Sequence, residues 1–224
     1  MNEFSLESKS SYEDEWNLGL VLKDEWANTL THGLGLVLSF VGFVFLFWTS
    51  YQTGDPFRLL NFSIYGASLI ILYSASTLYH ATKHQKIKKM MRLFDHCAIY
   101  ILIAGSYTPF TLLVLKDLWG LSLFIAVWSF ALIGIFYKLV FKHRYKIFST
   151  SLYLIMGWLA VIAIEPFIRN FHQTGLLLVF LGGVCYTGGI LFYAFDKKRF
   201  FHAIWHVCVL AGSFCHYLAI FLYV

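Results

Sequence analysis

Charge is scarce in this sequence. Only 13 % of its 224 residues are Asp, Glu, Lys or Arg, while 59 % are hydrophobic. A soluble domain carries about 25 % charged residues to cover its surface, so the composition excludes an ordinary soluble fold. The charges present are bunched. Between them lie seven stretches with none: 26–54, 59–82, 96–115, 118–137, 147–164, 170–195 and 200–224. Each has 18 to 29 residues, and about 20 helical residues cross a hydrocarbon core of ~30 Å. The alternating pattern of ten-residue barrel strands is missing, and backbone in lipid must satisfy its own hydrogen bonds. The expected fold is therefore an all-α membrane protein, a seven-transmembrane helix bundle. Its spans fall at about 27–50, 60–81, 95–115, 118–138, 147–166, 174–195 and 201–223, after an acidic tail over 1–25.

Other absences narrow the reading. The four cysteines, Cys97, Cys185, Cys208 and Cys215, have no CxxC spacing and lie within the apolar stretches; they read as small packing residues. No basic stripe is interleaved with base-stacking aromatics, so a net charge of +5 does not point to nucleic acid. Span 7 has no lysine for a retinal Schiff base; the nearest are Lys197 and Lys198, in the loop before it. The first 25 residues hold seven acidic and two basic side chains, the wrong sign for the leading segment of a signal peptide. That tail reads equally as a short surface helix or a mobile segment. There is no strong repeat and no low-complexity segment.

The basic residues that remain are asymmetric. The segments after spans 2, 4 and 6, with Lys9 and Lys23, hold fourteen; the opposite side has only Arg58, Lys116 and Arg169. The positive-inside rule puts the N-terminus in the cytoplasm and the C-terminus outside, in a multi-pass protein of the cell membrane.

With that orientation the rare polar groups gather at one depth. His80 ends span 2, with Ser76 one turn deeper on the same face; Asp95 opens span 3; His202 and His206 open span 7, four residues apart. Glu25, Asn28, Thr31 and His32 open span 1 at the same level. Three neutral imidazoles with an open position form the ligand set of a catalytic zinc site. The intervening "AIW" of "HAIWH" supplies no glutamate base, and Asp95 can take that role, with Ser76 orienting water or donating to an oxyanion. The rivals are a hydrogen-bonded cluster that locks helices together, or a haem pair. His84, His143 and His172 fall in loops and read as solvated. His96 points about 100° away from Asp95, and His216 lies roughly 21 Å beyond His202. Pro109 should kink span 3 beside Ser106 and Thr108; packing is the expected purpose, a cavity or portal the alternative. Gly182-Gly183 and Gly188-Gly189 should let helices approach closely.

These motifs resemble the hemolysin III group of the progestin and adipoQ receptor family. "EWANTLTH", Glu25 to His32, is like that family's first motif; "STLYH", Ser76 to His80, with Asp95 in "LFDHCAIY", is like its second; "HAIWH", His202 to His206, is like its third. The resemblance implies that His80, His202 and His206 bind zinc, that Asp95 and Ser76 stand behind them, and that Glu25, Asn28 and His32 support the site. It also implies ceramidase-like chemistry in some members. The expected function is zinc-dependent hydrolysis of membrane-lipid amide or ester bonds, with membrane lipids as partners. The alternatives are a hemolysin-like pore, or a sensor with structural zinc. Against a pore, the polar residues should stop at the inner leaflet.

Overall fold

The computed structural model describes residues 3–141 and 146–224, with side chains from Lys23 onward; His143 lies outside the described residues. Every described element is helical. They are α1 (Glu3–Gln52), α2 (Pro56–Ala81), α3 (Gln85–Pro109), α4 (Leu118–Phe141), α5 (Lys146–Trp158), α6 (Ile164–Asn170), α7 (Gln173–Ala194) and α8 (Phe201–Tyr223). A π-helical turn, Phe110–Leu115, prolongs α3, and a 3-10 segment, Leu159–Ala163, joins α5 to α6. Among the described residues seven segments are long and apolar enough to cross a membrane, with α5 and α6 together making the fifth.

The ends of these helices are set by local chemistry. Asp55 caps α2, its carboxylate accepting from Phe57 N at 2.9 Å and Arg58 N at 3.3 Å, while Pro56 opens the first turn. Asp117 accepts from Gly120 N at 2.9 Å at the start of α4. His172 is an exposed residue between helices, as expected, and it also caps α7: its Nδ1 accepts from Thr174 N at 3.2 Å and its ring stacks on Tyr223. Phe200 adopts a left-handed φ of 60° just before α8, a turn that sets where the first turn bearing His202 begins.

The bundle is built around α2 and α3. Half of the apolar window of α2 and 61 % of that of α3 is buried, against 17–33 % in the other spans. Helix α1 packs on α2 and α8, and α7 on α8. Only one glycine of each pair in α7 serves close approach. A Cβ on Gly182 would collide with His216, and one on Gly189 would crowd Cys208 and Trp205; Gly183 and Gly188 face open space or the rim of Trp158. A hydroxyl cluster ties the middle of the bundle. Tyr73 of α2 donates to Ser213 Oγ of α8 at 2.8 Å, and Tyr186 of α7 meets the same oxygen at 2.9 Å. Polar groups therefore do not stop at the basic end, as the sequence suggested. They continue two turns into the bundle, bonded to one another.

Two irregular stretches face each other. Pro109 carries no N–H, and the chain passes into the π turn immediately after it. Ser106 and Thr108 bond back to Leu102 O at 2.7 Å and Ala104 O at 2.9 Å. Opposite, α5 breaks at Gly157–Trp158. Tyr107 repairs that break: its hydroxyl donates to Gly157 O at 2.9 Å and accepts from Ala160 N at 3.0 Å. Backbone freed within a membrane needs such a partner. A cavity of about 610 Å³ lies beside these stretches, lined by Tyr107, Phe110 and Thr111 on one side and Gly157, Trp158 and Ala160 on the other, while Pro109 itself is buried in the packing.

Tyr107→Phe should leave Gly157 O and Ala160 N without a partner. The expected loss is about 1–3 kcal/mol of stability, read as an earlier midpoint in detergent-denaturant unfolding; an unchanged midpoint would show that the hydroxyl does not sustain the break.

Candidate metal centre

Two helices bring the three histidines together. His80 comes from the last turn of α2, and His202 and His206 from the first turns of α8. Their ring centroids lie 5.0 Å (His80–His202), 5.0 Å (His80–His206) and 4.6 Å (His202–His206) apart. One nitrogen from each lies within 4.8 Å of the others, so the three could hold a metal ion.

The third helix is α1. Glu25, Asn28 and His32 recur at three- and four-residue spacing, which puts them on one helical face. Glu25 Oε2 accepts from His80 Nδ1 at 2.8 Å, and Lys88 of α3 holds the other carboxylate oxygen at 3.0 Å. Thr31 donates its own proton to Ala27 O at 2.9 Å or Asn28 O at 3.0 Å, so toward His206 Nδ1, at 3.1 Å, it accepts. Both contacts place the imidazole proton on Nδ1 and leave the Nε2 lone pair free. His32 stacks on His206 with centroids 3.5 Å apart and packs edge-on against Tyr73.

The free nitrogens bear on what the cluster could hold. The Nε2 atoms of His80, His202 and His206 are buried and have no hydrogen-bond partner. A helix-locking polar cluster would pair them with one another. Leaving a buried acceptor unpaired costs about 1–3 kcal/mol, and three such atoms facing one point fit a cation. The donor set, neutral imidazoles oriented by a carboxylate and a hydroxyl on their far nitrogens, is that of a borderline-soft divalent metal.

Asp95 is buried on α3, with Ser76 and His80 as its polar neighbours, and Ser76 is itself buried beside that carboxylate. Asn28 is buried on the α1 face, and its Oδ1 has no partner. All eight residues singled out from the sequence thus lie at one end of the bundle. Spacing did not reveal Thr31 as the partner of His206 or Lys88 as the anchor of Glu25. Thr31 lies on the motif face of α1, but nothing in the sequence singles out Lys88 among its basic neighbours.

The cavity begins here. His32 and Asp95 line its inner end, and Phe110, Phe167 and His216 its far end. Ten residues of α8 separate His206 from His216, about 15 Å. The intervening wall is apolar, and its hydroxyls are already bonded: Ser106 to Leu102 O, Tyr107 to Gly157 O, Thr111 to Tyr107 O and Tyr186 to Ser213. His216 donates from Nε2 to Val179 O at 3.2 Å.

A family model described as Haemolysin-III related matches residues 20–217. The chain is 44 % identical over 202 residues to a Hemolysin-3 homolog of Bacillus subtilis (strain 168), covering 90 % of this chain and 95 % of that one. It is 40 % identical over 203 residues to Hemolysin-3 of Bacillus cereus, covering 91 % and 93 %. It is 31 % identical over 207 residues to a human protein named Monocyte to macrophage differentiation factor, covering 88 % and 83 %.

Alanine at His80, His202 or His206 should abolish stoichiometric metal in the purified protein. Glu25→Ala should weaken metal affinity about 10- to 100-fold while leaving one site per chain. Elemental analysis after graded chelator dialysis checks both, and equal metal retention by all four variants would contradict the assignment.

Proposed function

The chain belongs to the haemolysin-III related family, and from that premise we propose that its histidine centre holds zinc and hydrolyses an amide or ester bond of a membrane lipid. The observation that supports this reading most is positional. Three free imidazole lone pairs converge beside a buried carboxylate at the mouth of a long apolar cavity.

Bound there, zinc supplies Lewis acidity, polarising a carbonyl and acidifying water. His80, His202 and His206 would hold it through Nε2. Glu25 and Thr31 fix two of the rings by accepting the Nδ1 protons, which also raises the basicity of the coordinating nitrogens. Asp95 takes a proton from the attacking water onto its carboxylate and returns it to the leaving amine or alcohol. Ser76 Oγ, beside Asp95, steadies that carboxylate or meets the developing oxyanion. Asn28 and His32 keep α1 seated on α8. The cavity receives an acyl chain and excludes water from the reacting carbonyl. With the basic loops in the cytoplasm, the centre lies at the inner leaflet of the cell membrane, where a lipid enters laterally and its headgroup bond meets the metal.

The names of the Bacillus relatives favour a second reading, a hemolytic pore. Against it, the mid-bundle hydroxyls are bonded to one another and the cavity wall is apolar, neither of which suits an ion path. Bilayer conductance that persists in His80→Ala would favour the pore.

Zinc-loaded protein incubated with lipid amides and esters should turn over at least one class, and chelator should stop it. Asp95→Asn should keep its zinc and lose turnover by about 10²- to 10⁴-fold. No zinc-dependent turnover on either class would refute the hydrolase, and an unimpaired Asp95→Asn would leave the metal structural.

A further inference from the structure

His216 stands at the far end of the cavity, and the metal centre does not use it. Its Nε2 lies 3.2 Å from Val179 O. A carbonyl oxygen only accepts, so Nε2 carries the proton and Nδ1 keeps a lone pair. That Nδ1 is buried and has no hydrogen-bond partner among the described residues. Helix α7 fixes which way the ring faces. A Cβ on Gly182 would collide with Cδ2 and Nε2 of His216, so that edge of the ring faces α7. In a five-membered ring the atom opposite this edge is Nδ1. The lone pair is therefore turned away from α7. Phe110 of the opposite wall stands edge-on to the ring, with centroids 6.5 Å apart.

Leaving a buried acceptor unpaired costs about 1–3 kcal/mol. The hydroxyls at this end of the wall are committed elsewhere. Tyr186, whose ring packs 5.4 Å from that of His216, bonds Ser213 Oγ, and Thr111 bonds back to Tyr107 O and Thr108 O. A buried water needs about two to four polar partners, and the rings of Phe110 and Phe167 beside this nitrogen offer none. A hydroxyl carried on a carbon chain needs only the one acceptor, because the apolar wall holds the chain. The distance along the cavity sets where on the chain it falls. His216 lies about 15 Å beyond His206. An extended chain advances about 1.2 Å per bond, which puts the hydroxyl roughly twelve carbons from a headgroup bond at the metal centre.

We propose that His216 Nδ1 accepts a hydrogen bond from a hydroxyl partway along an acyl chain, so that the cavity selects hydroxylated fatty acyl lipids over plain ones. This rests on the reading of the cavity as an acyl-chain site, and not on turnover. A site built around a buried acceptor rejects the analogue without the hydroxyl, because the acceptor then stays unpaired.

Native mass spectrometry of the full chain in neutral detergent tests this, in separate titrations with stearic, 6-hydroxystearic and 12-hydroxystearic acid. Wild type should bind the 12-hydroxy acid about 3- to 10-fold more tightly than stearic acid. The 6-hydroxy acid, whose hydroxyl meets the apolar stretch of wall, should bind no more tightly than stearic acid. His216→Phe should bind stearic acid as wild type does and lose the preference. Equal binding of the three acids by wild type, or a preference undiminished in His216→Phe, would overturn the proposal and leave the acyl-chain reading standing. Binding of none of them would overturn both. The comparison of isomers on wild type decides the matter even where His216→Phe does not fold.

Discussion

In a bilayer core no water is available to bond a polar atom, so each must find its partner inside the protein or leave a lone pair for something else. Most of the architecture obeys the first half of that rule. The spans are helices because helices satisfy their own backbone. Where α5 breaks, Tyr107 spends its hydroxyl on the two freed groups. Where α2, α7 and α8 meet, one serine oxygen serves two tyrosines. The histidines at the basic end obey the second half. Their Nδ1 contacts with Glu25 and Thr31 are made, while their Nε2 atoms face one another unpaired.

That division of labour explains why α1 matters although it is mostly exposed. Its polar face stands behind the histidines. It fixes the proton positions of His80 and His206 and stacks His32 on the latter. Lys88 of α3 then holds Glu25, so α1, α2, α3 and α8 are joined through the centre. The cavity follows from the irregular backbone on the other side of α3. A π turn after Pro109 and a 3-10 stretch after Trp158 lie on either side of it, and the space they open reaches Asp95 and His32.

The seven spans were legible because charge-free runs of sufficient length admit few other folds. His202 with His206, and Ser76 with His80, were legible because four-residue spacing fixes a shared helical face. What spacing cannot give is which faces of different helices meet. The contact between Glu25 and His80, 55 residues apart, depends on the packing of α1 on α2, and Lys88 looked like one more topogenic cation. A proline alone does not say whether its neighbours close up or line a cavity; Pro109 is buried, and the residues just after it, Phe110 and Thr111, line the cavity. His172 is the exposed loop residue the sequence suggests; its added role as a cap has no strong sequence mark. Ser213 lies two turns beyond His206 on the same face, an available but unremarked position.

The central claim is that three Nε2 lone pairs hold one ion. Zinc X-ray absorption on the purified full-length protein tests it most directly. The account predicts three imidazole nitrogens at about 2.0–2.1 Å and one further light-atom ligand, with the three-imidazole signature lost when His80 is replaced. A sulfur shell at about 2.3 Å, or the same spectrum from a chain lacking His80, His202 and His206, would contradict it.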